Sequence, residues 1–239
     1  MLGLGTDITS SSYVSMDLKD ATTDLELWLK NDTGVAVGQW DDSSGNDNHV
    51  RQTTAENQAA VSGGGLDFEA DNSDHYDFTA ITIAQNGGFC VAIVLELETQ
   101  SGGNTILSKD ADDQIRITSD TNFRFRANNP TDVTTNAVFP SNTFPTGTKF
   151  LLLVNRSAGA SNRFTFMKNG VTLTPDVDTS TKEAAGENPN GFDLNVIGAK
   201  GGAGNFLDGK ILELAFWSKS LNLQEITDVN DYLKSVHGL

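Results

Sequence analysis

Leu25, Leu27 and Leu29 alternate with Asp24, Glu26 and Trp28. Successive side chains of an extended strand point to opposite faces, so this period of two predicts a strand with one buried side. Leu66-Asp67-Phe68 and Tyr76-Asp77-Phe78 repeat the pattern between turn residues. Phe89 to Leu97 and Lys149 to Asn155 are instead nearly continuous apolar runs, as expected of central strands covered on both faces. Phe164 to Val171 reads as a strand, an Asn169-Gly170 turn and a return, and Leu194 to Gly198 and Lys210 to Trp217 complete the set. Loops rich in Gly, Asn, Asp and Ser separate these runs, at 41–48, 62–65, 71–74, 100–104 and 201–205. Short strands with loops this frequent predict an all-β fold, an antiparallel two-sheet jelly-roll sandwich.

The last apolar segment has the helical period. Leu223, Ile226, Val229, Leu233 and Val236 share one side, Asn222 and Glu225 form a capping box, and Gly238 stops the helix. An amphipathic C-terminal helix must dock on the sandwich to hide its stripe. The first twenty residues are polar and rich in Ser and Thr, which predicts an extended N-terminal arm over 1–20 and a single domain over 21–239.

One hairpin carries candidate chemistry. Ile115-Arg116-Ile117 and Phe123-Arg124-Phe125-Arg126 both alternate, and a turn centred on Asp120 sets Ile117 opposite Phe123, Arg116 opposite Arg124 and Ile115 opposite Phe125. A slip of one residue would mix the apolar and charged faces. Three of the six arginines, Arg116, Arg124 and Arg126, then share one face. Like charges placed opposite each other are unfavourable unless something neutralises them. Either they contact an anion, such as an acidic glycan or a carboxylate of a partner protein, or they pair internally with Asp110, Asp112 and Asp113.

Charge and composition narrow the partners. Thirty-two acidic against sixteen basic residues give a net charge of −16, which repels nucleic acid and anionic lipid. No run approaches the roughly 18–20 apolar residues of a membrane span. Met1 to Asp7 lacks the basic and apolar parts of a signal peptide, so synthesis in the host cytoplasm without a leader is expected. The single cysteine, Cys90, sits in an apolar run and is expected to be a buried, inert thiol. His49, His75 and His237 show no metal-ligand spacing, and no nucleophile elbow or phosphate loop is present.

Three stretches carry a family resemblance. The first is Leu25-Glu26-Leu27-Trp28-Leu29 with Trp40-Asp41-Asp42-Ser43-Ser44-Gly45-Asn46. The second is Leu66-Asp67-Phe68-Glu69 through Asp74-His75-Tyr76, and the third runs from Ile197-Gly198 through Phe206 to Trp217, then Leu221 to Glu225 and Tyr232-Leu233. In order and spacing, over about residues 21–239, they resemble the laminin G-like, concanavalin A-like jelly-roll domains. Trp28 and Trp40 are then expected as core or loop anchors, Gly45 and Gly209 as turn glycines, and Asp41 and Ser43 as bonding the loop backbone. Members of that family often hold calcium. The resemblance implies a loop site at Asp110, Asp112 and Asp113, or at Asp71 and Asp74. Some relatives are glycosidases with two glutamates bracketing an aspartate on one strand. Here Glu96-Leu97-Glu98 comes closest and lacks the third acid, so no enzymatic activity is expected.

The expected function is therefore structural. A lone jelly roll with a polar arm and no leader suits a bacteriophage virion surface protein, such as a capsid decoration, head-fibre or tail-associated protein. The arm would dock on other virion proteins or on a second copy. The alternative is a calcium-dependent carbohydrate-binding or adhesion module for surface glycans, and a glycosidase is the remote third.

Overall fold

The computed structural model describes residues 17–100, 103–127, 133–159, 164–178 and 191–239. The apolar runs become strands where the pattern places them. In chain order these are β1 (Leu25–Leu29), β2 (Val35–Ala36), β3 (Gln39–Trp40), β4 (Val50–Arg51), β5 (Ala60–Ser62), β6 (Gly65–Phe68), β7 (Tyr76–Ile83), β8 (Phe89–Leu97) and β9 (Asn104–Ser108). There follow β10 (Gln114–Ile117), β11 (Asn122–Ala127), β12 (Val133–Val138), β13 (Phe150–Arg156), β14 (Phe164–Lys168), β15 (Val171–Leu173), β16 (Val177–Asp178), β17 (Phe192–Ile197) and β18 (Gly209–Trp217). An eight-stranded sheet runs β15-β14-β13-β8-β18-β6-β5, with β1 also paired to β18, and a ten-stranded sheet runs β16-β12-β11-β10-β9-β17-β7-β4-β3-β2. The ladders are antiparallel, so the expected two-sheet sandwich is the fold.

Between the sheets lies an aromatic core. Phe89 stands with its ring centroid 5.3 Å from Phe125, 5.1 Å from Phe192 and 5.9 Å from Phe164 and Phe216. The guanidinium of Arg156, fully buried, lies 5.1 Å from the Phe125 ring centroid. A second apolar layer explains the continuous runs of β8 and β13. Val91, Ile93 and Leu95 face the other sheet, whereas Cys90, Ala92 and Val94 face outward with Leu151, Leu153 and Trp217. That outward face is covered by Ile226, Val229 and Leu233 of the C-terminal helix, Leu223–His237. Cys90 is thus buried on the helix side, and burial pushes its thiol pKa well up. Among the described residues no helix is long and apolar enough to cross a membrane.

A short helix, α1 (Leu18–Ala21), precedes β1, and the C-terminal helix is α2. Asp17 caps α1, and Leu18 is fully buried in the layer beneath α2. The folded body therefore includes residues 17–20, which the sequence places in the arm; residues 1–16 lie outside the described residues. In α2 the capping box forms as expected, with Asn222 accepting from Glu225 N and Glu225 accepting from Asn222 N. Its stripe is shifted: Leu223 and Val236 are exposed, and Asn230 and His237 are buried instead. The last substitution has a chemical cause. His237 Nε2 meets Glu213 Oε2 at 2.8 Å, and Trp28 Nε1 donates to Glu213 Oε1 at 2.8 Å. A carboxylate removed from water is tolerated only when it is paired and hydrogen-bonded in this way.

The opening loop is tied down by a neighbour of the expected residue. Trp28 and Trp40 are buried anchors. Asp42, rather than Asp41, accepts from Trp28 N at 2.8 Å, from Ser44 N at 2.8 Å and from Asn48 N at 3.0 Å. Ser44, rather than Ser43, supplies the hydroxyl, donating to Asp42 Oδ2 at 2.7 Å. Asp41 instead bonds Arg51 at 2.6 Å. Gly209 is required where β18 starts: its φ is +139°, and a Cβ would stand 2.2 Å from the Glu96 carbonyl oxygen.

Candidate functional site

The β10–β11 hairpin forms in the register that alternation dictates. Ile117 pairs with Phe123, Arg116 with Arg124 and Ile115 with Phe125. The four apolar side chains are fully buried against the eight-stranded sheet, so Arg116, Arg124 and Arg126 project from the outer face of the ten-stranded sheet. Their partners differ in kind. Arg126 meets Asp112 at 3.0 Å and also donates to the Ala111 carbonyl at 2.8 Å, the internal pairing that local acids make possible. Arg116 donates to the side-chain oxygens of Asn205 at 2.8 Å and Gln114 at 3.3 Å. Arg124 donates through Nε to Asn136 Oδ1 at 2.8 Å. Among the described residues neither Arg116 nor Arg124 meets a carboxylate. Both are half-buried, and Arg116 Nε has no partner. Burial, then the Arg124 charge opposite, pulls the Arg116 pKa down.

Amide oxygens orient a guanidinium without cancelling its charge. Each guanidinium has five N–H donors, and the amides engage only some of them. The outer face therefore holds two adjacent cations, fixed in direction and with spare donors.

A cleft of about 440 Å³ opens beside this row, lined by Thr82, Gln85, Lys109, Asp110, Asp112 and Asp193 among others. Its walls are set by internal bonds. Asp110 Oδ1 accepts from Asp112 N at 2.7 Å and Asp113 N at 3.1 Å, which folds the β9–β10 loop. Asp113, buried, accepts from Asp193 N at 3.0 Å. Lys109 donates to Asp193 at 2.8 Å and Thr82 to the same carboxylate at 2.7 Å. Those two bonds, Lys109's first, hold the Asp193 pKa down, and the Asp193 bond holds that of Lys109 up. The Asp112–Arg126 pair joins cleft and arginine row into one surface. Asp110, Asp112 and Asp113 thus serve three separate tasks there: a turn, an ion pair and a strand contact.

The family model of the concanavalin A-like lectin/glucanases superfamily matches residues 69–227, more than half of the chain. The chain belongs to this superfamily. Solved structures share the fold over most of the chain's length. The binding domain of Paraclostridial Mosquitocidal Protein 1 superposes with a TM-score of 0.62 at 12% identity, covering 91% of this chain and 53% of that one. Trypanosoma rangeli sialidase gives 0.58 at 13% identity over 90% of this chain, which spans only 33% of the sialidase. Domain 4 of AbnA, an extracellular arabinanase of Geobacillus stearothermophilus solved in complex with arabinotriose, gives 0.58 at 14% identity, covering 87% of this chain and 98% of the domain. Such identities establish the fold alone. No curated protein matches the chain.

Elsewhere on this concanavalin A-like body, acids gather where the spacing gave no sign of it. Ligand oxygens of Glu69, Glu98 and Asp208 lie within 4.8 Å of one another, the one such group of acids among the described residues. Gly209 pairs with Phe68 on one side and Leu97 on the other, so the residue beyond each strand end is brought to one spot. Hard carboxylate oxygens from three chain segments fit calcium, the ion that the resemblance implies. Asp74, the other expected ligand, is buried and accepts from Glu69 N at 2.9 Å. Glu96 and Glu98 both approach Lys210 Nζ, at 3.6 and 3.2 Å.

Burial raises the Glu69 pKa, and Glu98, Asp67 and Asp208 add to the rise. A carboxyl raised in the folded state costs stability above its folded pKa, and the cost disappears as the pH falls to the unfolded value. With chelator present, Glu69→Gln is therefore expected to raise the melting temperature by about 1–3 °C at pH 7. The gain should vanish by about pH 4. A variant that melts below wild type at pH 7 in chelator would contradict the repulsion.

Proposed function

We propose that the chain is a non-enzymatic carbohydrate-binding domain displayed on a bacteriophage virion. The observation that carries the binding role is the polar outer surface of the ten-stranded sheet. There a cleft lined with donors and acceptors of both signs runs into a row of oriented guanidiniums and amides. Sugar hydroxyls donate and accept at once, and pre-set polar groups that need no reordering suit them. The arabinotriose complex of the arabinanase domain supports the reading by likeness of fold. The approach of Glu96 and Glu98 to one lysine, together with the missing third acid, supports a non-enzymatic role.

The position of α1 supports display. Leu18 packs in the layer beneath α2, on the outer face of the eight-stranded sheet, so the chain enters the body on the side opposite the arginine row. A tether there leaves the candidate ligand face outward. On a glycan array, the intact chain should bind at least one saccharide class and turn over none that it binds. Turnover abolished by Glu98→Gln would overturn the non-enzymatic reading. Deleting residues 1–16 should leave melting temperature and glycan binding unchanged while abolishing incorporation into particles. Incorporation at wild-type level would sink the tether.

A further inference from the structure

We infer that Arg116 and Arg124 form an anion subsite, so that the saccharide taken up on this face is an acidic one whose carboxylate or sulfate ester sits on the two guanidiniums. The inference rests on the proposed carbohydrate-binding role and names its ligand class.

Three observations carry it. The register places the two cations directly opposite each other on neighbouring strands, an arrangement that is unfavourable on its own. The partners found for them, Asn136, Asn205 and Gln114, are all neutral, although the chain has twice as many acids as bases. Arg126, two residues along the same face, does take a carboxylate, Asp112. Within this row of three, the charge without a carboxylate partner among the described residues is therefore that of Arg116 and Arg124.

The pair is also prepared for a ligand. Asn136 and Asn205 each hold one guanidinium from a different element, so little side-chain freedom is left to lose. Arg116 Nε is shielded from solvent and unpartnered, and a Cβ at Gly103 would stand 3.0 Å from Arg116 Nη2. A side chain at residue 103 would therefore crowd the guanidinium. Two planar forks matched to oxygen pairs suit carboxylate and sulfate. A nucleic acid or an anionic membrane is disfavoured by the net charge of −16, which repels extended polyanions at long range. A saccharide with isolated charges avoids most of that cost and still satisfies the pair.

The test uses the full chain and matched probes: sialyllactose with lactose, oligogalacturonate with its methyl ester, and a sulfated disaccharide with its desulfated form. At least one acidic probe is expected to bind roughly tenfold or more tighter than its neutral counterpart, with an advantage that shrinks as salt is added. The Arg116→Gln/Arg124→Gln double variant should bring the two within about twofold of each other, because affinity for the acidic probe falls roughly tenfold or more further than affinity for its neutral counterpart. Equal binding of acidic and neutral partners by wild type, or an acidic preference that survives in the double variant, overturns the subsite.

A second measurement separates the subsite from the carbohydrate reading. The Nε–Hε resonances of Arg116 and Arg124 are followed while glucuronate, and then glucose at equal ionic strength, is titrated into wild type. Shifts with glucuronate alone support the subsite, and no shift overturns it. Shifts with glucuronate but no binding of any oligosaccharide would leave the anion site standing and remove the carbohydrate role.

Discussion

Phe89→Ala is expected to destabilise the fold by about 3–5 kcal/mol, the cost of deleting a large buried ring that its surroundings cannot refill. Phe89 is fully buried at the first position of β8, with four phenylalanine rings at centroid distances of 5.1–5.9 Å. Those rings come from β11, β14, β17 and β18, so two belong to each sheet. They are fixed by their own strands and cannot close over the gap together. The Arg156 guanidinium also lies 5.9 Å from the Phe89 ring centroid, and a buried cation that loses an aromatic face loses favourable electrostatics. For a domain of this size the loss corresponds to a fall in melting temperature of roughly 6–20 °C. Phe89→Leu, which keeps most of the volume, should lose less than half as much. A melting temperature for the alanine variant within about 2 °C of wild type would mean that the two sheets repack freely.

Phe89 also illustrates what was legible in the sequence. The run Phe89 to Leu97 has no alternation because both faces are covered, one by the other sheet and one by α2. That double burial was readable, and so was the need for α2 to dock. The arginine hairpin was readable to the residue, since only one register separates Ile115, Ile117, Phe123 and Phe125 from the charges. What those charges meet was not readable. Asn136 and Asn205 lie 12 and 89 residues away from their arginines, and nothing in a period of two encodes them. The exchange of Asp41 for Asp42 has a similar origin. In a loop without a repeat, adjacent aspartates are equivalent until the backbone fixes which one points at Trp28 N. The cluster of Glu69, Glu98 and Asp208 required the order β6-β18-β8, which local sequence does not contain.

Glu213→Leu is expected to cost about 3–5 kcal/mol, because it removes the shared partner of a buried polar cluster and leaves Trp28 Nε1, Tyr232 Oη and His237 Nε2 unsatisfied. Glu213 is fully buried between β18 and α2. It accepts from Trp28 Nε1 at 2.8 Å and from Tyr232 Oη at 3.3 Å, and it pairs with His237 Nε2 at 2.8 Å. Burial, followed by the Glu213 charge, raises the Tyr232 pKa, so that phenol remains a donor. Lys149 donates to the His237 carbonyl at 2.6 Å and ties the end of α2 to the same spot. One carboxylate thus fastens β1, β18 and both turns of α2 that reach it. Glu213→Leu/His237→Leu should recover a substantial part of the loss, since apolar replacement of a whole buried pair is often neutral or better. In a double-mutant cycle the two changes should then be clearly less than additive. The arginine row lies on the opposite outer face, separated from Glu213 by both sheets. Well below its melting temperature, the single variant should therefore bind the acidic probes within about twofold of wild type. A larger loss of binding would show that the helix layer and the ligand face are coupled through the aromatic core, and that the display and binding roles are not independent.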